Sequence, residues 1–169
     1  LPTDHSRAGY DSRSGQGRLI QETTISVQNV AREKRESLPG RIATMLDIRA
    51  EDPAAHRIIW HDLEKEREAI EKALPDCATV YGSQDLDERE QIIIDFSDGR
   101  IGEVAAKPSM LGSGTNFQRH CAWEIFLGIG FKFNEFIQAI HRWHRFLQEQ
   151  RVRIDLIYTE AEREVRRVL

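Results

Sequence analysis

At 169 residues, 40% apolar and 31% charged, the chain has room for one domain with a sizeable core and a short extension. No apolar run approaches the roughly 18 residues of a membrane-spanning helix, and the start is polar rather than a signal peptide. A cytoplasmic protein with no membrane partner is therefore expected. The net charge of −4 gives no global ground for nucleic-acid binding, but the charge is uneven. Residues 61–100 hold five Lys/Arg against twelve Asp/Glu, whereas residues 131–169 hold eight against six. A protein that touches phosphates need be basic only where it touches them, so net charge decides nothing.

The chain opens on Leu1 rather than Met, as expected for a piece of something longer. Residues 1–36 are rich in Ser, Gly, Arg, Gln and Thr and read as a polar tether or partly ordered extension to a domain over 37–169. "SLPGRIATMLDIRA" predicts a helix after Pro39-Gly40, with Ile42, Met45, Leu46 and Ile48 on one side. "RIIW" (57–60) reads as a buried strand. "DLEKEREAIEKAL" (62–74) predicts an amphipathic helix with Leu63, Ile70 and Leu74 inward. "ATVYG" (78–82) is a second strand. "LDEREQIIIDF" (86–96) is a helix with Ile92 and Phe96 on one face, closed by Asp98-Gly99.

"GEVAA" (102–106) and "WEIFLGIG" (123–130) are the third and fourth strands, and "FNEFIQAIHRWHRFLQ" (133–148) is helical. "VRIDLIY" (152–158) predicts a fifth strand with Val152, Ile154, Leu156 and Tyr158 inward. Thr159 and Glu162 then form a capping box opening a last helix. Short apolar strands alternating with amphipathic helices imply an α/β fold with a mostly parallel sheet covered on both faces. Cys77 and Cys121 stand far apart without CxxC spacing, which points to buried reduced thiols rather than a disulfide.

In such sheets ligands bind beyond the carboxyl ends of the strands. The loop "KPSMLGSGTNFQ" (107–118) follows the third strand. Its Gly112 and Gly114 would let the backbone approach a phosphate that Ser113, Thr115 and nearby N–H groups could grip. A flexible turn with a satisfied Asn116 is the other reading. No GxxxxGK[ST] occurs. Asp87-Glu88 mimics a Walker B pair, but it follows "GSQD" rather than an apolar strand, so it is expected to start a helix and not to hold a metal. His141 and His144, three apart with His120-Cys121 upstream, sit among arginines that repel a cation, so no metal site is expected. Neither cysteine sits in a nucleophile signature. Arg142 and Arg145 lie three apart on one helix, one turn after Gln138. Two guanidinium forks so placed suit a polyphosphate or a pair of carboxylates; an ion-pair network to an acidic helix is the alternative.

"QAIHRWHRFLQ" (138–148) closely resembles motif VI of superfamily-two helicases of the Swi/Snf type, roughly Q-A-x-x-R-x-x-R-x-x-Q. "LGSGTNFQ" resembles their motif V, "VYGSQDLDEREQIIIDFSDG" the preceding family segment, and "RVRIDLIYTEAEREVRRVL" the closing strand and helix. The order holds from about residue 40 to the end. The match is to the C-terminal RecA-like lobe, a three-layer fold whose partner lobe carries Walker A and B.

The resemblance implies a composite ATPase site in which ATP and Mg²⁺ are bound mainly by a separate N-terminal lobe. It implies that Arg142 and Arg145 act as arginine fingers and that Gln138 orients the nucleotide, with Gly112, Gly114 and Asn116 beside it. Ser113, Thr115 and Arg89 would touch a DNA backbone. The fragment alone is then expected to be monomeric and inactive as an ATPase. Where the family has an Asp and a W-N-P turn, this chain reads "FLGIGFKFNEF", and Leu147 replaces a small residue before Gln148. It is in this respect similar to helicases encoded beside DNA methylases in phages and prophages, which leaves unwinding and duplex translocation both open. The rival from another class is a non-catalytic nucleic-acid- or protein-binding module that keeps the fold. A Rossmann-like dinucleotide binder needs a glycine fingerprint after the first strand, and "RIIWHDLEKE" has none.

Overall fold

The five apolar runs form one sheet in a computed structural model that describes residues 35–111, 117–128, 137, 139–141, 150–159 and 162. Its described elements, in chain order, are α1 (Leu38–Ala50), β1 (Arg57–Trp60), α2 (Glu64–Ala73), β2 (Ala78–Val80), α3 (Leu86–Ser97), β3 (Glu103–Ala106), a 3-10 turn (Phe117–Arg119), β4 (Trp123–Phe126) and β5 (Arg153–Leu156). The strand order is β2-β3-β1-β4-β5 and every pairing is parallel. This is the α/β, RecA-like arrangement expected. No helix among the described residues is long and apolar enough to cross a membrane.

β1 and β4 are buried at all four positions, as interior strands of a sheet covered on both faces must be. One apolar cluster lies on the α1/α2 side and includes Met45, Ile59, Ile70, Leu74, Ile125 and Leu127. The other lies on the α3 side and includes Ile58, Trp60, Phe96, Val104, Phe117 and Phe126. Several boundaries differ from the sequence reading. α1 takes in Pro39 in its first turn, where a missing N–H costs nothing, so the helix starts before the Pro-Gly pair rather than after it. β2, β3, β4 and β5 are each shorter than predicted, because pairing with a neighbour and not apolar content sets a strand's length.

The alternation predicted for 152–158 also fails in part. Val152, Ile154 and Leu156 pack on the α3-side cluster, but the most buried residue is Ile157, which joins the opposite one. β5 is an edge strand with apolar layers above and below it, so both parities meet core. The box at Thr159 is half made. Glu162 accepts from the Thr159 N–H at 2.8 Å, but Thr159 Oγ1 has no hydrogen-bond partner among the described residues.

α3 closes as its sequence suggested. Gly99 has φ +77°, the Arg100 N–H donates to the Asp95 carbonyl at 2.8 Å, and the Gly99 N–H to Phe96 at 3.2 Å. A Cβ on Gly99 would lie 3.0 Å from His120 Nδ1. Gly99→Ala is expected to cost about 1–2 kcal/mol, read as a lower urea midpoint at unchanged slope. An unshifted midpoint would mean that the turn is not strained by a side chain.

Candidate functional site

All five strands run the same way, so Trp60, Val80, Ala106, Phe126 and Leu156 end along one edge of the sheet. Gly112, Ser113, Gly114, Thr115 and Asn116 lie outside the described residues, as do Gln138, Arg142, Arg145 and His144. What the structure places are the residues that root them. Leu111 and Phe117, each 1% exposed, bracket the glycine stretch, and fully buried Ala139 lies between Gln138 and Arg142 with half-buried Ile140 beside it. All four belong to the α3-side cluster with Trp60, Ala106 and Phe126. The two candidate segments are thus anchored in one apolar layer.

Arg89, the remaining candidate, sits in the first turns of α3, half-buried and without an ion pair among the described residues. The helix start around it is set by Asp85, whose Oδ1 accepts from the N–H groups of Asp87 (2.9 Å) and Glu88 (3.3 Å). Asp87 and Glu88 therefore complement a helix dipole, as their context predicted.

Three buried polar groups gather near the carboxyl edge. Trp60 Nε1 donates to Glu124 Oε2 at 2.8 Å, joining β1 to β4. Arg41 and Glu66 form an ion pair of 2.7 Å at 4% and 1% exposure. His61, 3% exposed, follows β1, and neither ring nitrogen has a hydrogen-bond partner among the described residues. Burial pushes the His61 imidazole down to about 4, with Lys107 adding repulsion and Glu66 opposing it. The folded protein thus holds His61 neutral while the unfolded chain binds its proton near pH 6.5. Stability is full above that pH and falls as the pH drops toward about 4, by about 3 kcal/mol. His61→Leu should flatten this slope in thermal melts taken across the same range; an unchanged slope would clear His61 of the effect.

At the opposite edge Arg57 is fully buried at the start of β1, its guanidinium carbon 4.6 Å from the centre of the Trp123 ring. Arg153 covers the same ring at 4.3 Å and is held by Glu51 and Asp155. The His56 and His120 rings lie 6.0 Å apart there, and burial lowers the pKa of His56. Both cysteines are buried thiols outside any disulfide, and burial pushes the Cys77 thiol up to about 12, so it stays protonated and a poor nucleophile. Among the described residues no three His, Cys, Asp or Glu converge as metal ligands. His120 is exposed while the Cys121 sulfur is buried toward the Trp123 carbonyl, which separates the pair that the sequence set side by side.

Sequence reasoning missed Arg41, Arg57, His61 and Glu124. The available signal was a charged or polar residue inside or beside an apolar strand, as in "RIIWH" and "WEIF".

The sheet order and its helical layers on both faces define a RecA-like α/β fold. The sequence matches no protein-family model and no curated protein. Among solved structures it is similar to the C-terminal part of the Fun30 ATPase domain (21% identity, TM-score 0.62, 75% of this chain and 44% of that one). It is similar also to the C-terminal domain of the DEAD-box protein Dbp5 (15%, 0.58, 74% of this chain and 73% of that one). S. cerevisiae Dbp5 bound to RNA and ADP BeF3 matches at 15% and 0.64, over 78% of this chain and 35% of that one. The chain thus spans less than half of the Fun30 chain and about a third of the RNA-bound Dbp5 chain. At these identities the likeness establishes the fold.

Proposed function

We propose that this chain is the C-terminal motor lobe of an ATP-dependent DNA helicase or translocase of the Swi/Snf type. One observation carries the reading: Leu111 and Phe117, which flank 112–116 in the sequence, and Ala139 and Ile140, which lie between Gln138 and Arg142, belong to a single apolar layer. A motor lobe needs that arrangement, because nucleotide and nucleic-acid contacts must move together. The likeness to the Fun30 ATPase domain and to Dbp5, which was captured with RNA and ADP BeF3, supports it.

The chain fits ATP as one wall of a shared cleft. Its described residues offer no cluster of carboxylates for Mg²⁺, and its sequence has no Walker A lysine, so the separate N-terminal lobe supplies both. ATP with Mg²⁺ provides the phosphoryl group whose loss drives the cycle. Arg142 and Arg145 place positive charge where negative charge develops on that group. Gln138 orients the nucleotide, and Gly112, Gly114 and Asn116 present main-chain N–H groups and an amide beside it. Ser113, Thr115 and Arg89 hold backbone phosphates, which carry no sequence information and so suit a motor that travels.

The test is ATP turnover of this chain alone, and again with an N-terminal lobe that carries Walker A and B. Turnover that appears only with both lobes, rises with DNA and collapses in Arg145→Ala is the expected result. Unaltered turnover with both arginines removed would end the finger assignment. Stimulation by RNA alone would move the substrate from DNA to RNA.

A further inference from the structure

Two features of the surface match each other. The first is an apolar trough of about 430 Å³ between α1 and α2, lined by Leu38 and Ile42 of one helix and Ala69 and Ala73 of the other. Each pair stands four residues apart, so two rows run along the trough, and the small alanines leave room for a third helix to come close. Arg35 and Lys72, both exposed, stand at its rim. Glu68, one turn before Lys72, would be its ordinary helix partner, but it pairs with Lys65 at 2.9 Å instead. Neither Arg35 nor Lys72 forms an ion pair among the described residues.

The second feature is a ridge on α3, on the opposite face of the sheet. Leu86, Glu90 and Ile94 stand four residues apart in one row and all three are exposed, Leu86 at 65% and Ile94 at 41%. These two are the large apolar side chains that the described residues leave most open to water. Glu90, between them, forms no ion pair among the described residues, and exposed Asp87 flanks the row. The lengths agree as well: the ridge from Leu86 to Ile94 rises about 12 Å, and the stretch from Arg35 to Ile42 about 10 Å. An apolar row with an acid in its middle thus answers an apolar trough with cations on its rim.

We propose that the α3 ridge of one copy of this chain seats in the α1–α2 trough of a second copy, with Leu86 and Ile94 over Ala69 and Ala73 and Glu90 against Lys72. Ridge and trough lie on opposite faces of the sheet, so the contact is head-to-tail and does not close on two copies. It builds open rows, or a ring of more than two, in place of the monomer that the resemblance implies. A contact of this extent falls at the small end of protein interfaces, below about 1,200 Å², so the rows form only when the chain is concentrated.

The experiment is sedimentation velocity on the full chain. Mean mass should climb continuously as the chain is concentrated toward about 0.5 mM, with no plateau at two copies. Lys72→Glu and Glu90→Lys, both at exposed positions, should each weaken association roughly tenfold by setting like charges across the contact. The double variant Lys72→Glu/Glu90→Lys, or an equimolar mixture of the two single ones, should restore it. Ala69→Gln, which fills the trough without changing the charge, should weaken it as well. A plateau at two copies, association indifferent to either charge reversal, or a double variant that fails to restore it would overturn the proposal. So would a chain that stays monomeric: a lower melting temperature in Lys72→Glu would then give the trough to residues 1–34 of the same chain, and an unchanged one to a helix of another protein.

Discussion

Arg145→Ala in the two-lobe protein is expected to lower ATP turnover roughly 10³-fold while leaving the melting temperature within about 2 °C. The separation is expected because the described packing just before Arg145 in the chain is apolar. Within 139–141, Ala139 is fully buried and Ile140 is half-buried against the α3-side cluster. The rate effect comes from charge: a preorganised cation in a site that excludes water acts on the transition state without reorganising. Arg145→Lys should recover only part of the loss, because an ammonium is a point charge and cannot present a planar fork to two phosphate oxygens. Arg142→Ala should act on the same step, so the double variant should be little slower than the worse single one. A loss matched by a fall in melting temperature would assign Arg145 to folding.

How much of this could be read in advance depends on the distance over which each feature is determined. The sheet was legible because "RIIW" and "WEIF" are apolar runs bounded by polar turns, and because the helices between them carry their own caps and stops. Gly99 was legible for the same reason: a helix end is a local event. The buried polar residues were not. Arg41 meets Glu66 and Leu127, 25 and 86 residues away, and Trp60 meets Glu124 across 64 residues. No pattern along the chain announces partners brought together only by the sheet order. Strand ends were misjudged on similar grounds, since "LGIG" is as apolar as the strand before it but β4 stops at Phe126.

For the site, local chemistry narrowed the field and stopped short. Two glycines around Ser113, and two arginines one turn beyond Gln138, suit phosphates equally well in many proteins. Their assignment to one cleft came from the resemblance, and those residues lie outside the described ones.

Arg57 carries the largest expected effect on folding. It is fully buried, and its guanidinium donates to the carbonyls of Arg49 (3.0 Å) and Ala55 (3.2 and 3.0 Å) and to that of Asp52, while pairing with Glu103 at 3.1 Å. One side chain thus satisfies carbonyls at the end of α1 and in the turn into β1, and covers a face of Trp123 as well. Burial lowers its pKa and the Glu103 carboxylate offsets this, so it stays charged. Arg57→Met keeps the length and apolar stem but leaves the Ala55 carbonyl without its donor, while those of Arg49 and Asp52 keep the N–H groups of Asp52 and Ala55, and should cost about 2–4 kcal/mol. That is a large part of the roughly 5–15 kcal/mol a domain has. Arg57→Lys should recover less than half, since three donors on one nitrogen cannot span a fork's targets. Arg100 is the control: it pairs with Asp95 and Asp98 in the open, and Arg100→Ala should stay within about 0.5 kcal/mol. Urea midpoints at constant slope measure all three. A shift for Arg57→Met no larger than that for Arg100→Ala would mean that water reaches those carbonyls and that the α1–β1 turn is held by something other than Arg57.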